Sequence, residues 1–80
     1  SNANRIAAEI VSEWNPTYLI ENLVVDTTTS PTQVLVDLAG SVAPQETDVL
    51  ADDLAESLEY PVLLKIRFRP EFVAGEIGVD

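Results

Sequence analysis

Neither cysteine, histidine nor methionine occurs among the 80 residues of this chain. Without cysteine there is no disulfide framework, no thiol nucleophile and no thiolate metal site. Without histidine the commonest general base and the commonest transition-metal ligand are both missing. Basic residues are scarce as well: four against fourteen acidic ones, a net charge of −10. A surface of that sign repels nucleic-acid phosphates and anionic lipid headgroups, so neither nucleic acid nor an anionic membrane is expected as a direct partner. The charge favours solubility and suits a salty cytoplasm. No apolar run approaches the roughly 18 residues that span a bilayer; if the parent protein is membrane-embedded, its spans lie outside this segment. Ser1-Asn2-Ala3 reads as the remnant of a cleaved expression tag and is set aside from the fold. With native sequence then starting near Asn4, the chain is expected to be a piece of a longer protein.

What is present is enough to fold. The 46% hydrophobic content argues against disorder. Eighty residues allow one domain with a modest core, and a chain of this size buries only about 60% of its unfolded surface, so support from a partner is expected. The clearest pattern is Pro61 to Pro70. Val62, Leu64, Ile66 and Phe68 alternate with Lys65, Arg67 and Arg69, the period of a strand with one buried and one wet face. Prolines at both ends occupy positions where a ladder N–H is dispensable. The motif predicts a central or near-central strand of a small sheet.

The remaining elements follow from period and punctuation. Ile6, Ala7, Ile10, Val11 and Trp14 have helical spacing, which predicts a helix over residues 4–14, capped by Asn4 and ended by Asn15-Pro16. Trp14 reads as a core anchor rather than a ligand-stacking platform. Tyr18 to Thr27 reads as a strand of blurred phase, with Ile20 and Val24 on one face and Leu19, Leu23 and Val25 on the other. Such a strand is central, bulged, or in an interface on its second face. Asp26 to Pro31 is a polar hairpin loop. Gln33 to Ala39 is a second strand with Val34, Val36 and Leu38 inward. Gly40-Ser41 closes it, and no phosphate-cradling pattern surrounds that glycine. Pro44 to Glu59 reads as a second helix with Leu50, Leu54 and Leu58 inward, Pro44 in its first turn and Gln45 with Glu46 at the positive end of its dipole. Residues 71–80 have no steady period and could be a tail, a short extra strand or a segment that docks on a neighbouring chain.

The expected fold class is therefore α+β: a two-layer αββαβ sandwich, a three-stranded sheet with two helices on one face, over residues 4–70. The first two strands form an antiparallel hairpin, and the second helix is a right-handed crossover into the third. The sheet's other face is left to Leu35, Asp37, Leu63, Lys65 and Arg67, with some of Leu19, Glu21, Leu23 and Val25. Glu21 and Asp37 are expected across from Lys65 and Arg67. Leucines mixed with paired charges suggest a protein contact surface, so Leu35, Leu63, Lys65 and Arg67 are the candidate interface and self-association is the expected partnership.

Chemistry is expected to be absent. The remaining candidates are carboxylates, Lys65, tyrosines and hydroxyls, and paired carboxylates do acid–base work only inside a cleft that separates their pKa values. Asp48, Asp52 and Glu56, four residues apart, line one helix face. Oxygen donors of this kind suit Ca²⁺ or Mg²⁺, but a helix face holds carboxylates apart and offers no loop carbonyls, so these three are only weak metal candidates. No catalytic residue and no cofactor is assigned.

Three resemblances sharpen this reading. Val34-Leu35-Val36-Asp37-Leu38-Ala39-Gly40-Ser41, the helix opening at Pro44, and Tyr60-Pro61-Val62-Leu63-Leu64-Lys65-Ile66-Arg67-Phe68-Arg69-Pro70 resemble the C-terminal soluble region of the DUF389 family of multi-pass membrane proteins, over roughly residues 5–70. The resemblance implies a soluble appendage of an integral membrane protein of unknown activity, with no catalytic residue to carry over; the cytoplasmic side is the expected location, and the expected partners are the chain itself and the rest of its parent. The αββαβ order is also similar to the dimeric cytoplasmic domain of cation diffusion facilitators, which implies cation sensing as the alternative; that family binds metal through histidines, and this chain has none. Leu38-Ala39-Gly40-Ser41-Val42 looks like the corresponding strand and turn of BON domains, whose association with phospholipid membranes a charge of −10 disfavours.

Overall fold

Val34, Val36 and Leu38 are each at most 1% exposed, and the strand that carries them organises the molecule. In the computed structural model, which describes residues 2–72, 74, 75 and 78, the elements run α1 (Asn2–Trp14), β1 (Leu19–Asp26), β2 (Thr32–Gly40), α2 (Thr47–Leu58) and β3 (Val62–Pro70). The strands lie in the order β1-β2-β3, with β1 antiparallel to β2 and β2 parallel to β3. This is the αββαβ arrangement of an α+β protein. β2 is central; β3, expected at or near the centre, is an edge strand. Its alternation arises from one face on the helices and one in water, and period 2 is the same at an edge as in the middle.

The core lies between one sheet face and both helices. Ala7 and Val11 of α1, Leu50, Leu54 and Leu58 of α2, and Val34, Val36 and Leu38 of β2 form its buried centre. Ile6, Ile10, Trp14, Val62, Leu64, Ile66 and Phe68 pack around it, half-buried. The helix therefore points its smaller side chains at the centre, where two helices and a sheet converge, and its larger ones at the rim.

Boundaries shift for local reasons. α1 begins at Asn2, and Ala3, set aside in the sequence reading, packs against the core. Asn4 consequently lies inside the helix rather than capping it, and its Oδ1 accepts a hydrogen bond of 3.0 Å from the Val25 N–H. α2 begins at Thr47 because Glu46 sits in the left-handed region, φ 54°, where a right-handed helix cannot continue. Glu59, φ 63°, ends α2 in the same conformation, its N–H donating to the Ala55 carbonyl. Pro44 and Gln45 belong to the connection between β2 and α2. The β1–β2 turn is held by Asp26, whose Oδ1 accepts from the Thr28 N–H and hydroxyl. Of the segment 71–80, Glu71 donates its N–H to the Gly40 carbonyl; whether the segment forms an extra strand turns on residues 73, 76, 77, 79 and 80, which lie outside the described residues.

A bulge in β1 accounts for that strand's blurred phase. Ile20 faces Leu38 and Asn22 faces Asp37, so Glu21 is the extra residue. One inserted residue switches the faces of everything after it. Ile20, Leu23 and Val25 all pack on the core, while Leu19 and Val24 point to the other side. The grouping of Ile20 with Val24, and of Leu19 with Leu23 and Val25, assumed an uninterrupted strand and is corrected by this bulge.

Candidate functional site: the open face of the sheet

On β2 and β3 the core residues alternate without a break, and on β1 the bulge shifts them from Ile20 to Leu23 and Val25; the residues between them define a second face, away from both helices. Register places its side chains in rows across the three strands. At one end stand Asp26, Gln33 and Leu63, followed by Val24, Leu35 and Lys65. Then come Asn22, Asp37 and Arg67, and finally Leu19, Ala39 and Arg69. The apolar members are well exposed: Leu19 at 59%, Val24 at 45% and Leu63 at 56%, with Leu35 half-buried among them. Val24, Asp26, Gln33, Leu35, Leu63 and Lys65 line a shallow groove of about 340 Å³.

The other half of the face is a lattice of charge pairs. Arg67 donates from Nε and Nη2 to both carboxylate oxygens of Asp37, the second bond 2.8 Å long. Arg69 grips Glu21 in the same two-pronged way, both bonds 2.9 Å, and reaches Glu71 at 3.5 Å. Two parallel N–H···O bonds fix geometry as well as charge. They hold the Glu21 and Asp37 carboxyls below the usual carboxylate range, hydrogen bonding from Arg69 and Arg67 being the main cause, and raise both guanidinium pKa values.

Of the four candidate interface residues, Leu35, Leu63, Lys65 and Arg67, all lie on this face. Arg67 meets Asp37 as expected. Glu21, expected opposite Lys65 or Arg67, instead pairs with Arg69, because the bulge carries it toward the Gly40 end of the sheet. Among the described residues Lys65 has no ion-pair partner. Val24 and Arg69 complete the face and were not singled out as interface residues. Arg69 shares the phase of Lys65 and Arg67, a signal present in the alternation; Val24 depended on locating the bulge.

Asp48, Asp52 and Glu56 are exposed along α2. Among the described residues no three acidic, histidine or cysteine side chains converge where a metal ion could sit.

At the Gly40 end of the sheet, Trp14 stacks on Tyr18 with ring centroids 5.6 Å apart, and Tyr18 meets Phe68 edge-on at 6.1 Å. The Tyr18 hydroxyl donates to the Val42 carbonyl at 2.6 Å. Trp14 thus joins an aromatic stack that closes one end of the core. Beside it a cleft of about 530 Å³ is lined by Asn15, Thr17, Gln45 and Glu46 as well as Trp14 and Tyr18. Within it the Asn15 Oδ1 accepts from the Thr17 N–H and hydroxyl.

Compared with known protein families, with curated proteins and with solved structures, the chain matches none. No helix among the described residues is long and apolar enough to cross a membrane.

Proposed function

We propose that this chain is a non-enzymatic regulatory or oligomerisation module of a larger, membrane-embedded protein, held on the cytoplasmic side, and that the open sheet face is its contact surface. One observation carries the reading. Both helices cover the same side of a three-stranded sheet, and the other side presents Leu63, Val24 and Leu35 in adjoining rows at one end, next to charge pairs that cancel one another. Isolated exposed leucines are ordinary, but apolar side chains in adjoining rows of a flat surface are the pattern of a contact site. The membrane-embedded parent is supported by the resemblance to the DUF389 appendage.

Sedimentation velocity at tens of micromolar tests the contact surface. The wild-type chain is expected to associate, and Leu63→Asp, which places a charge in the centre of the groove without touching the core, is expected to leave it monomeric. A wild-type chain that is monomeric throughout, or a Leu63→Asp variant that associates as well as wild type, overturns the reading.

A further inference from the structure

We infer that the occupant of the open face is a second copy of this chain, stacked face to face about a two-fold axis running along β2, so that β1 of each copy lies against β3 of the other. This rests on the reading of that face as the contact surface and adds its partner and geometry. Charge identifies the partner. The helical side carries every acidic residue from Glu9 to Glu13 and from Glu46 to Glu59 against a single base, Arg5. Two copies approaching by that side repel each other. The open face holds Lys65, Arg67 and Arg69 against Glu21, Asp26 and Asp37, with Glu71 beside Arg69 at its edge, and so comes close to charge balance. It is the surface on which two strongly acidic chains meet with least repulsion.

The same residues set the orientation. Charge on the face is polarised across the strands: β1 contributes Glu21 and Asp26 and no base, while β3 contributes Lys65, Arg67 and Arg69 and no acid. A closed face-to-face pair has its two-fold axis in the plane between the sheets. An axis running across the strands would lay β3 on β3, base against base. An axis along β2 lays β3 on the partner's β1, base against acid, and does so twice.

Lys65 is the one basic side chain without an ion partner among the described residues, Asp26 is an acid on the same face that also has none, and this stacking brings the two together. Register places Lys65 in the row of Val24 and Leu35, one row from Asp26. With sheets about 10 Å apart and rows about 7 Å apart, Lys65 and the partner's Asp26 have Cα atoms ~12 Å apart, within reach of a lysine and an aspartate extended toward each other. Between them Val24 and Leu63 of each copy lose their water. Three strands of this length span roughly 30 by 14 Å. That footprint falls short of the ~800 Å² per partner of a standard interface, so the dimer is a weak one, with a dissociation constant in the micromolar range or above.

Sedimentation equilibrium over tens to hundreds of micromolar separates the outcomes. Lys65→Glu and Asp26→Lys are each expected to weaken dimerisation about tenfold or more, since each places like charges together at two symmetric contacts. An equimolar mixture of the two variants, and the double variant alone, are expected to return to within about threefold of wild type. Asp26→Asn keeps the oxygen that accepts from Thr28 and removes the charge; it repeats the test without disturbing the turn, and is expected to weaken the dimer in the same direction. If wild type dimerises and Leu63→Asp abolishes the dimer, but Lys65→Glu and Asp26→Asn leave it unchanged, the stacking proposed here is wrong while the contact surface stands. A wild-type chain that never dimerises overturns both.

Discussion

Arg69 and Glu21 stand 48 residues apart in the chain and meet through two hydrogen bonds of 2.9 Å. Arg69 belongs to β3 and Glu21 to β1, the two outer strands, so the pair ties the sheet's edges together across β2. Ala39 faces Arg69 on one side and Leu19 on the other and is 1% exposed although it lies on the open face. A longer side chain there would obstruct the bridge. The bulge at Glu21 supplies the other half of the geometry.

Glu21→Gln is expected to lower the melting temperature at neutral pH by a small amount, as for an ion pair at the surface. Because the folded state lowers the Glu21 pKa, its contribution is fully present above the unfolded value and is lost as pH falls through the folded one. The gap in melting temperature between wild type and Glu21→Gln should therefore be constant above about pH 5 and close progressively below about pH 4. Calorimetric scans of both proteins across that window check it; a gap that widens in acid contradicts the pairing.

Gly40 is required for space. A Cβ on it would sit 2.6 Å from Cδ1 of Tyr18, and that ring is held by Trp14, by Phe68 and by its hydroxyl bond to Val42. Gly40→Ala is expected to cost about 1–3 kcal/mol and to change the fluorescence of the single tryptophan as the Trp14–Tyr18 stack is disturbed. Combining it with Tyr18→Ala should cost less than the two single substitutions added together. Chemical denaturation of the four proteins measures this.

Asn4 covers one edge of the sheet. Its side chain accepts from the Val25 N–H on the outer strand β1, an edge group that β2 does not pair. Asn4→Ala should destabilise the domain by about 0.5–1.5 kcal/mol, and the Val25 amide should exchange with solvent faster than its neighbours in β1. Hydrogen exchange followed by NMR reads both effects at once.

Glu59 closes α2 with φ 63° and ψ 31°, a conformation that costs a residue with a Cβ about 1–2 kcal/mol. Glycine adopts it freely but loses more chain entropy on folding. Glu59→Gly is expected to stabilise the domain by up to about 1 kcal/mol. A decrease in the urea midpoint would show that the glutamate side chain contributes more at this position than its backbone costs.

The sequence by itself determined the number, order and type of elements, because period 2 in β2 and β3 and period 3.6 in both helices record which face each element buries. It also determined that Leu35, Leu63, Lys65 and Arg67 share the face away from the helices, since phase along a regular strand is a local property. Tertiary structure alone decided three matters. The β1 bulge moved Val24 to the open face and turned Leu23 and Val25 inward, because an inserted residue is defined by the partner strand it fails to match. Strand order made β2 central and β3 an edge, because alternation registers one buried face and is blind to neighbours in the sheet. Glu21 met Arg69 because register and the small Ala39 between them set the reach of both side chains, and neither can be read from one strand at a time.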